Sequence, residues 1–428
     1  MASCWEARLT EPVVLDVERL TFGFDALAHR GRQVVFVPYG APGDRVRAEV
    51  VERHAGYLRA RIVAVEAPGP ARTLPGCGYF PTCGGCQWQH VAPAAQRDAR
   101  RAIVAEQLAR LAGLREVEVL PTLPSPADWH YRARITLAVE GRRAGLHGAR
   151  SHTLVEIADC PLADPTVSAH LGTARAWVAA LRVPLRRVTV SAAHGGVVLT
   201  GTASARPGPA DLAASEALLA RVAGVRGTVV AGAGMRLVAG DPNVRVVLEP
   251  GLDLEVPADV FTQVNPGANR VLIEAVLALG SFSAGERALD LYCGAGNLSL
   301  PLARRGVTVH GVERSAVAVA AALVNAARLR LPAATFQTGD VMRVLGDLAP
   351  GSLDAVVLDP PRAGAAPAMP ALVALRPPRI VYVSCDPATL ARDVGALVAA
   401  GYRLARVQPV DVFPQTYHVE SVAELRLT

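Results

Sequence analysis

The chain has 428 residues, of which 51% are hydrophobic and 19% are charged, and its formal net charge is +6. This composition excludes a disordered or fibrous protein, and the length predicts two to four domains rather than one compact core. All 44 residues counted as lysine or arginine are arginines. The mild positive excess permits nucleic acid as a partner but does not require it.

The first ten residues carry charges, and no basic stretch is followed by an apolar run, so we expect no secretory signal. No run of about 20 strongly apolar residues occurs, so we expect no membrane span. The seven cysteines are unevenly spaced. In a chain without a signal this argues against a disulfide framework and favours metal or thiol chemistry in a reducing cytoplasm.

Residues 1–66 are predicted to form a small β-barrel, because apolar and polar residues alternate in short runs that glycine-containing turns separate. Several short strands at this spacing are typical of a five-stranded barrel of the OB type, which often binds oligonucleotides. A β-barrel with solvated arginines and no RNA function is the alternative. The strand-like runs cover residues 12–20, 33–37, 45–50 and 58–65.

A cysteine-rich segment follows a Pro/Gly linker. Cys77, Cys83 and Cys86 form a C-x5-C-x2-C run, and Cys160 follows a strand-like stretch at 154–157. Three clustered thiolates with a distant fourth fit a four-iron cluster. Zinc is the alternative, although structural zinc sites usually draw on two close ligand pairs, and four unrelated buried cysteines are a third interpretation. The cysteines interpreted as structural are Cys4 and Cys293.

Residues 67–262 read as a β-rich middle domain. An amphipathic helix is predicted over 96–114, where Ile103, Leu108 and Leu111 form an apolar stripe. Strands dominate from residue 131 to about 260, interrupted by one predicted helix over 211–222. The predicted strands include 134–139, 187–191 paired with 197–200, and 245–248.

Strands and helices alternate from residue 263 to residue 428, which predicts a parallel doubly wound sheet. Asn265 and Pro266 mark the start of the first helix. The last two strands follow each other through a short loop, so we expect one of them to be antiparallel. The predicted strands are 288–292, 307–312, 335–337, 353–358, 379–383, 403–410 and 419–427. The first predicted helix ends near residue 279, and the other predicted helices cover 298–304, 316–328, 369–375 and 388–400.

Three strand ends in this region carry a donor-site pattern. Gly294 and Gly296 follow the first strand, Glu313 ends the second, and Asp340 ends the third. An acid after the second strand can accept both hydroxyls of a ribose. The third glycine of a dinucleotide loop is missing, so S-adenosylmethionine is favoured over a nicotinamide or flavin dinucleotide. An iron–sulfur oxidoreductase is the alternative, and Asp340 could also be only a helix N-cap.

Two further motifs point to methylation of a ring carbon. Asp359 opens an Asp-Pro-Pro-Arg loop, where amino-group methyltransferases place an aromatic residue instead of Arg362. Cys385 follows a buried strand at a strand-to-helix turn, and Glu420 lies on the last strand. A thiolate that adds to carbon-6 of a pyrimidine activates carbon-5, and a base must then remove the carbon-5 proton. A buried structural cysteine and an ordinary strand carboxylate are the alternatives.

Taken together, these motifs resemble the TRAM-containing, iron–sulfur RNA uridine-5-methyltransferases over essentially the whole chain. The resemblance implies an N-terminal TRAM domain that binds RNA, a central iron–sulfur domain, and a C-terminal α/β, Rossmann-like methyltransferase domain. It also implies that the helix over 96–114 packs on the C-terminal domain. The implied residues are Cys385 as nucleophile and Glu420 as base, Gln263, Tyr292, Asn297, Glu313, Asp340 and Asp359 at the donor, and Cys77, Cys83, Cys86 and Cys160 on a [4Fe-4S] cluster.

The resemblance implies RNA as the partner, with 23S ribosomal RNA preferred and the T-loop uridine of tRNA as the alternative. A non-catalytic iron–sulfur RNA-binding protein is the weaker alternative. No obligate protein partner is implied.

Overall fold

The computed structural model describes residues 12–428; Cys4 lies outside the described residues. Within them the strands form a closed barrel, a seven-stranded sheet, a two-stranded ribbon and an eight-stranded sheet, in chain order. Between residues 12 and 428, no helix is both long and apolar enough to cross a membrane.

The N-terminal barrel has the predicted five strands, joined in the order β1-β2-β3-β5-β4. Four of them fall on the predicted runs, whereas β2 was not predicted. Four consecutive residues of β2 are buried, so the strand lacks the alternation of half-buried strands. The strands are β1 (Val13–Leu20), β2 (Asp25–Arg30), β3 (Gln33–Pro38), β4 (Arg45–Arg53) and β5 (Tyr57–Ala67).

The middle region is β-rich, as predicted, and its sheet has the strand order β13-β12-β11-β10-β7-β8-β9. The prediction of a single helix after residue 131 is wrong, because two short helices precede α4. The elements are α1 (Pro93–Ala112), β6 (Glu118–Val119), β7 (Arg134–Glu140), β8 (Arg143–His147), β9 (Leu154–Val155), α2 (Pro165–Ala169), α3 (Leu171–Ala180), β10 (Leu185–Ala193), β11 (Gly196–Ala203), α4 (Pro209–Arg221), β12 (Val225–Gly232), β13 (Met235–Gly240), β14 (Asn243–Glu249) and β15 (Leu252–Pro257).

The C-terminal sheet has the order β18-β17-β16-β19-β20-β22-β21-β6. The five strands from β16 to β20 are parallel, and β22 is inserted antiparallel between β20 and β21. The elements are α5 (Pro266–Gly280), β16 (Arg287–Leu291), α6 (Ser299–Arg304), β17 (Thr308–Glu313), α7 (Ala316–Arg328), β18 (Ala334–Thr338), α8 (Val341–Gly346), β19 (Ala355–Leu358), a 3-10 turn (Ala366–Ala368), α9 (Met369–Leu375), β20 (Arg379–Ser384), α10 (Pro387–Ala399), β21 (Tyr402–Val410) and β22 (Glu420–Leu427).

The segment between the barrel and the middle sheet completes the C-terminal sheet. Strand β6 pairs in parallel with β21 at the sheet edge. Helix α1 packs against α10, where a Cβ added to Gly395 would lie 3.2 Å from the Cβ of Ala112. Helix α1 and strand β6 thus precede the predicted domain boundary at residue 262 in the chain but pack with the part that follows it. The domain boundaries at 66 and 262 stay predictions.

The parallel strands place their carboxyl ends at one edge of the C-terminal sheet. Ligands of open α/β sheets bind in the crevice outside these strand ends. The loops that follow β16, β17, β18, β19 and β20 all lie on this side, which is where the predicted donor and catalytic residues are.

Candidate active site

A cavity of about 900 Å³ opens at this edge of the C-terminal sheet. Residues from five strand ends line it, together with the segment before α5 and the start of β22. The eight predicted donor and catalytic residues all line this one cavity: Gln263, Tyr292, Asn297, Glu313, Asp340, Asp359, Cys385 and Glu420.

Strand β20 delivers Cys385 to the cavity. All six residues of the strand are buried, and Cys385 is the first half-buried position after it. Asp386 then caps α10, its carboxylate accepting hydrogen bonds from the amides of Ala388 and Thr389 at 2.9 Å each. The thiol is therefore held between a buried strand and a capped helix.

The pairing of β20 with β22 brings the predicted nucleophile and base together. The last paired residues of the two strands are Ser384 and Ser421. In an antiparallel pair the next position in register joins Cys385 to Glu420, which is the first residue of β22. Two residues that lie 35 positions apart in sequence thus become cross-strand neighbours at the cavity.

Burial dominates the electrostatics of these two groups. Glu420 is 2% exposed, and burial, followed by the nearby Asp359, raises the pKa of its carboxyl well above the usual range. Burial, followed by Glu420, raises the pKa of the Cys385 thiol to about 12, while Arg362 opposes the shift. At neutral pH the protein without RNA therefore holds the thiol protonated.

Arg362 and His418 form a polar pair at the same end of the cavity. Nη2 of Arg362 lies 3.3 Å from Nε2 of His418. Burial, followed by Arg362, lowers the pKa of His418 to about 4, so the imidazole is neutral near pH 7. The sequence analysis assigned neither residue a role; the replacement of the expected aromatic by Arg362 was the available signal.

Backbone contacts shape the donor end of the cavity. The carboxylate of Glu313 accepts hydrogen bonds from the amides of Gly294 at 3.3 Å and Ser315 at 2.7 Å. Tyr292 has a φ of +63°, in the left-handed region where side chains are disfavoured. Asn297 and Asn269 exchange side-chain hydrogen bonds of 2.8 and 3.0 Å.

Two acidic residues at the donor end of the cavity, Asp340 and Asp290, add to what the sequence predicted. Asp340 does cap α8, since its carboxylate accepts from the amide of Met342 at 2.9 Å, but it also lines the cavity. Asp290 was not predicted as a site residue. It is 1% exposed, one of its carboxylate oxygens has no hydrogen-bond partner, and burial raises its pKa to about 7. Its place near the end of β16, the strand that leads into the glycine loop, was the signal that could have identified it.

The four predicted cluster cysteines, Cys77, Cys83, Cys86 and Cys160, line a second cavity of about 150 Å³. Within residues 12–428, no group of three or more His, Cys, Asp or Glu side chains is arranged to hold a single metal ion. The four thiols line one space, and the [4Fe-4S] cluster stays a prediction.

The backbone around these cysteines is tightly packed. A Cβ added to Gly84 would lie 2.9 Å from the carbonyl oxygen of His147, so only glycine fits there without a shift of the backbone. The amide of Gly85 donates to Sγ of Cys83 at 3.4 Å.

Comparison with known proteins identifies the family. The sequence profile described as tRNA (Uracil-5-)-methyltransferase matches residues 246–426, and that of the TRAM domain matches residues 13–63. A protein of Alkalilimnicola ehrlichii named 23S rRNA (uracil(1939)-C(5))-methyltransferase RlmD is 37% identical, over 96% of each chain. The chain belongs to the RNA uracil-5-methyltransferase family.

Two further proteins support the assignment to the RNA uracil-5-methyltransferase family. A protein of the same name from Thiobacillus denitrificans is 36% identical over 96% of this chain and 98% of its own length. The crystal structure of Pyrococcus abyssi tRNA (uracil-54, C5)-methyltransferase in complex with S-adenosyl-L-homocysteine matches with a TM-score of 0.71 and 25% identity, over 97% of this chain and 100% of that one. The predicted family, TRAM domain, RNA substrate class and S-adenosylmethionine donor are thereby confirmed.

Proposed function

We propose that this enzyme methylates carbon-5 of a uridine in 23S ribosomal RNA, with Cys385 as the nucleophile and Glu420 as the base. The observation that carries the chemistry is the register of β20 and β22, which makes the thiol and the carboxyl neighbours in one cavity. The names of the two curated relatives support 23S ribosomal RNA as the substrate.

The proposed reaction begins when the target uridine leaves its stack and enters the cavity. The Cys385 thiolate adds to carbon-6, and the electron pair of the double bond makes carbon-5 nucleophilic. Carbon-5 then takes the methyl group of the sulfonium donor. Glu420 removes the proton from carbon-5, the double bond re-forms, and the thiolate leaves carbon-6.

The raised pKa of Cys385 means that the thiol proton must pass to solvent before or during the attack, which leaves Glu420 free to accept the proton of carbon-5. Glu420 is the neighbouring acid that raises this pKa, and Arg362 is the neighbouring cation that lowers it. We assign Arg362 the role of stabilising the thiolate and the enolate oxygen of the adduct by its positive charge. We expect activity to rise with pH above neutrality for this reason.

The donor would lie against the glycine loop. Glu313, at the end of β17, would accept from the ribose hydroxyls, and Gln263, Tyr292, Asn297, Asp340 and Asp359 would contact the rest of the donor. The sulfonium carries a positive charge that is lost on methyl transfer. A cavity lined by several carboxyl groups therefore favours the donor over its product.

Cys77, Cys83, Cys86 and Cys160 would hold a [4Fe-4S] cluster, which would cross-link the loop before α1 to the segment after β9. Methyl transfer consumes no electrons, so we assign the group a structural role. A thiolate-bound cluster and a free catalytic thiol both suit a cytoplasmic setting, where thiols stay reduced.

Trapping of the covalent adduct tests the proposed chemistry. Glu420→Gln should keep the thiol but lose the base, so protein and RNA should stay joined in a denaturant-resistant, methyl-labelled complex when S-adenosylmethionine is present. Cys385→Ala is the control and should form no such complex, with methyl transfer lowered on the order of 10⁴-fold or more. Absence of the complex with Glu420→Gln would contradict the assigned roles.

The second candidate substrate is the T-loop uridine of tRNA, favoured by the likeness to the P. abyssi enzyme over the full chain. Unmodified 23S ribosomal RNA and unmodified tRNA should be methylated in parallel with labelled donor, and the modified base mapped. We expect label in 23S ribosomal RNA. Label in tRNA alone would replace the proposed substrate and leave the chemistry intact.

A further inference from the structure

The segment between β21 and β22, residues 411–419, leads directly into Glu420, and we call it the catalytic loop. We propose that Gln96 and Arg100 of helix α1 form a clamp that holds this loop and so positions Glu420 for proton removal. The inference rests on the proposed role of Glu420. Gln96 and Arg100 act through other residues and are positioning residues.

Arg100 ties together most of the catalytic loop. Its side chain is completely buried. One nitrogen donates to the carbonyl oxygens of Thr416 at 2.7 Å and Phe413 at 3.0 Å, and Nε donates to that of His418 at 3.1 Å. The same guanidinium lies 3.2 Å from the carboxylate of Asp411. One side chain more than 300 positions upstream thus fixes the loop at its beginning, middle and end.

Gln96 holds Gln415 of the catalytic loop through two hydrogen bonds. Its side-chain nitrogen donates to Oε1 of Gln415 at 2.9 Å, and its side-chain oxygen accepts from the amide of Gln415 at 2.9 Å. Gln415 has a φ of +69°, a backbone conformation that residues other than glycine rarely adopt. A positive φ at such a residue is kept where several surrounding contacts hold the backbone in place.

The segment after Cys86 holds the same residue from a second side. The amides of Gln87 and Trp88 both donate to the carbonyl oxygen of Gln415, at 3.1 and 3.0 Å. The Arg100 guanidinium lies over the Trp88 ring at 5.1 Å. The catalytic loop is therefore bonded from helix α1 and from the cysteine-rich segment, both of which lie outside the C-terminal part of the chain.

The contacts favour positioning over stability as the purpose of the clamp. Neither carboxylate oxygen of Asp411 accepts a hydrogen bond, and Nη1 of Arg100 donates none. A buried ion pair with missing hydrogen bonds is weak evidence for stability. The carbonyl of His418, which Arg100 does satisfy, is two residues before the proposed base.

Gln96→Leu is the informative variant, because it removes both bonds to Gln415, together with those that Gln96 donates to the carbonyl oxygens of Trp88 and Val91, without leaving a buried charge. Gln107→Leu on the same helix is the matched control, since Gln107 is half-buried and makes no side-chain hydrogen bond. We expect Gln96→Leu to form the methylated protein–RNA adduct but to release it at least tenfold more slowly than the unchanged enzyme. Gln107→Leu should release it at the normal rate.

The measurement is the amount of denaturant-resistant, methyl-labelled adduct over time, with 23S ribosomal RNA and labelled S-adenosylmethionine. Donor affinity, measured by calorimetry, should be unchanged in both variants. A merely structural role predicts the opposite pattern, in which adduct formation and donor binding fall together. That pattern, or normal release in Gln96→Leu, would overturn the clamp.

Gln415→Gly is the second variant, in case Gln96→Leu does not fold. Glycine accepts the positive φ and keeps the three backbone hydrogen bonds of position 415, so the variant loses only the side-chain bond to Gln96. We expect a smaller accumulation of adduct in the same direction, and normal release here would also overturn the clamp. Glu420→Gln in the same assay separates the two proposals: if it traps adduct and the clamp variants do not, only the clamp fails, whereas if it traps none, the role of Glu420 fails and the clamp with it.

Discussion

At the scale of single residues, several carboxyl groups share the cavity of this enzyme. Burial raises the pKa of Asp359 and of Asp290 to about 7, and it raises that of Glu420 well above its usual range. These groups bind protons more tightly in the folded protein than in the unfolded chain. Buried acids of this kind lower the stability of the fold, and enzymes commonly keep them because the reaction requires them.

The raised pKa values predict how stability depends on pH. Between about pH 4 and pH 7 each of these carboxyl groups binds more protons in the folded protein than in the unfolded chain, so its contribution to the free energy of unfolding falls as pH rises through this window. Asp359→Asn removes one such group. We expect its melting temperature to exceed that of the unchanged protein by about 2–4 °C at pH 8, with a smaller difference at pH 5.

The measurement is thermal unfolding of the protein without RNA or donor at both pH values. Asp98→Asn, on the exposed face of α1, is the matched control and should change neither value. Parallel pH curves for Asp359→Asn and the unchanged protein would show that Asp359 titrates normally in the fold.

The turn from β20 to α10 is the central structure at the element scale. Only Cys385 and Asp386 separate the strand from the helix. Asp386 accepts two amide hydrogen bonds from the first turn, and Pro387 occupies the first helical position, where its missing amide hydrogen has no cost. The position of the thiol is therefore set by the cap that follows it.

Asp386→Ala should lower the free energy of unfolding by about 1 kcal/mol, the usual effect of losing an N-cap. It should also slow adduct formation, because the turn that carries Cys385 loses its two anchoring bonds. Denaturant unfolding and adduct trapping are the measurements. Asp164→Ala is the comparison, since Asp164 caps α2 by accepting from the amide of Thr166 at 2.8 Å. Equal adduct rates for the two variants would contradict the positioning role of the cap.

At the scale of the whole molecule, one apolar cluster joins the barrel to the C-terminal sheet. Trp88 is completely buried in it, between the barrel and α1. A bidentate pair between Arg19 and Glu106, at 2.7 and 3.1 Å, ties the barrel to the same helix. The cluster includes Leu15, Val35, Leu58, Trp88, Ile103, Leu108, Leu390, Val394 and Leu397.

Trp88→Ala should lower the free energy of unfolding by roughly 3–5 kcal/mol, as expected for a large buried aromatic. Because the cluster is shared, we expect amide hydrogen exchange to increase both in the barrel strands and in α10. Trp177→Ala removes an equally buried tryptophan from a separate cluster around the middle sheet and should increase exchange there instead. An increase confined to the barrel in Trp88→Ala would contradict a shared core.

Much of the C-terminal fold could be predicted from local pattern. The buried parallel strands are apolar runs, and their predicted bounds differ from the observed ones by at most two residues. Elements with weak local signals were missed: β2 is buried on both faces, β6 has two residues, and α8 has six. The insertion of β22 between β20 and β21 could not be predicted, since strand order depends on packing rather than on local pattern.

The sequence by itself determined which chemistry this protein carries. A cysteine at a strand-to-helix turn, a glycine loop with acids at the following strand ends, and a late glutamate were sufficient to predict a carbon-5 methyltransferase, because each reacting group requires a particular residue type. Only the tertiary structure decided how these groups meet. The register of two antiparallel strands places Cys385 beside Glu420, and hydrogen bonds from Gln96 and Arg100 reach a loop more than 300 residues away. Such contacts depend on the packing of distant segments, which no local pattern of residues encodes.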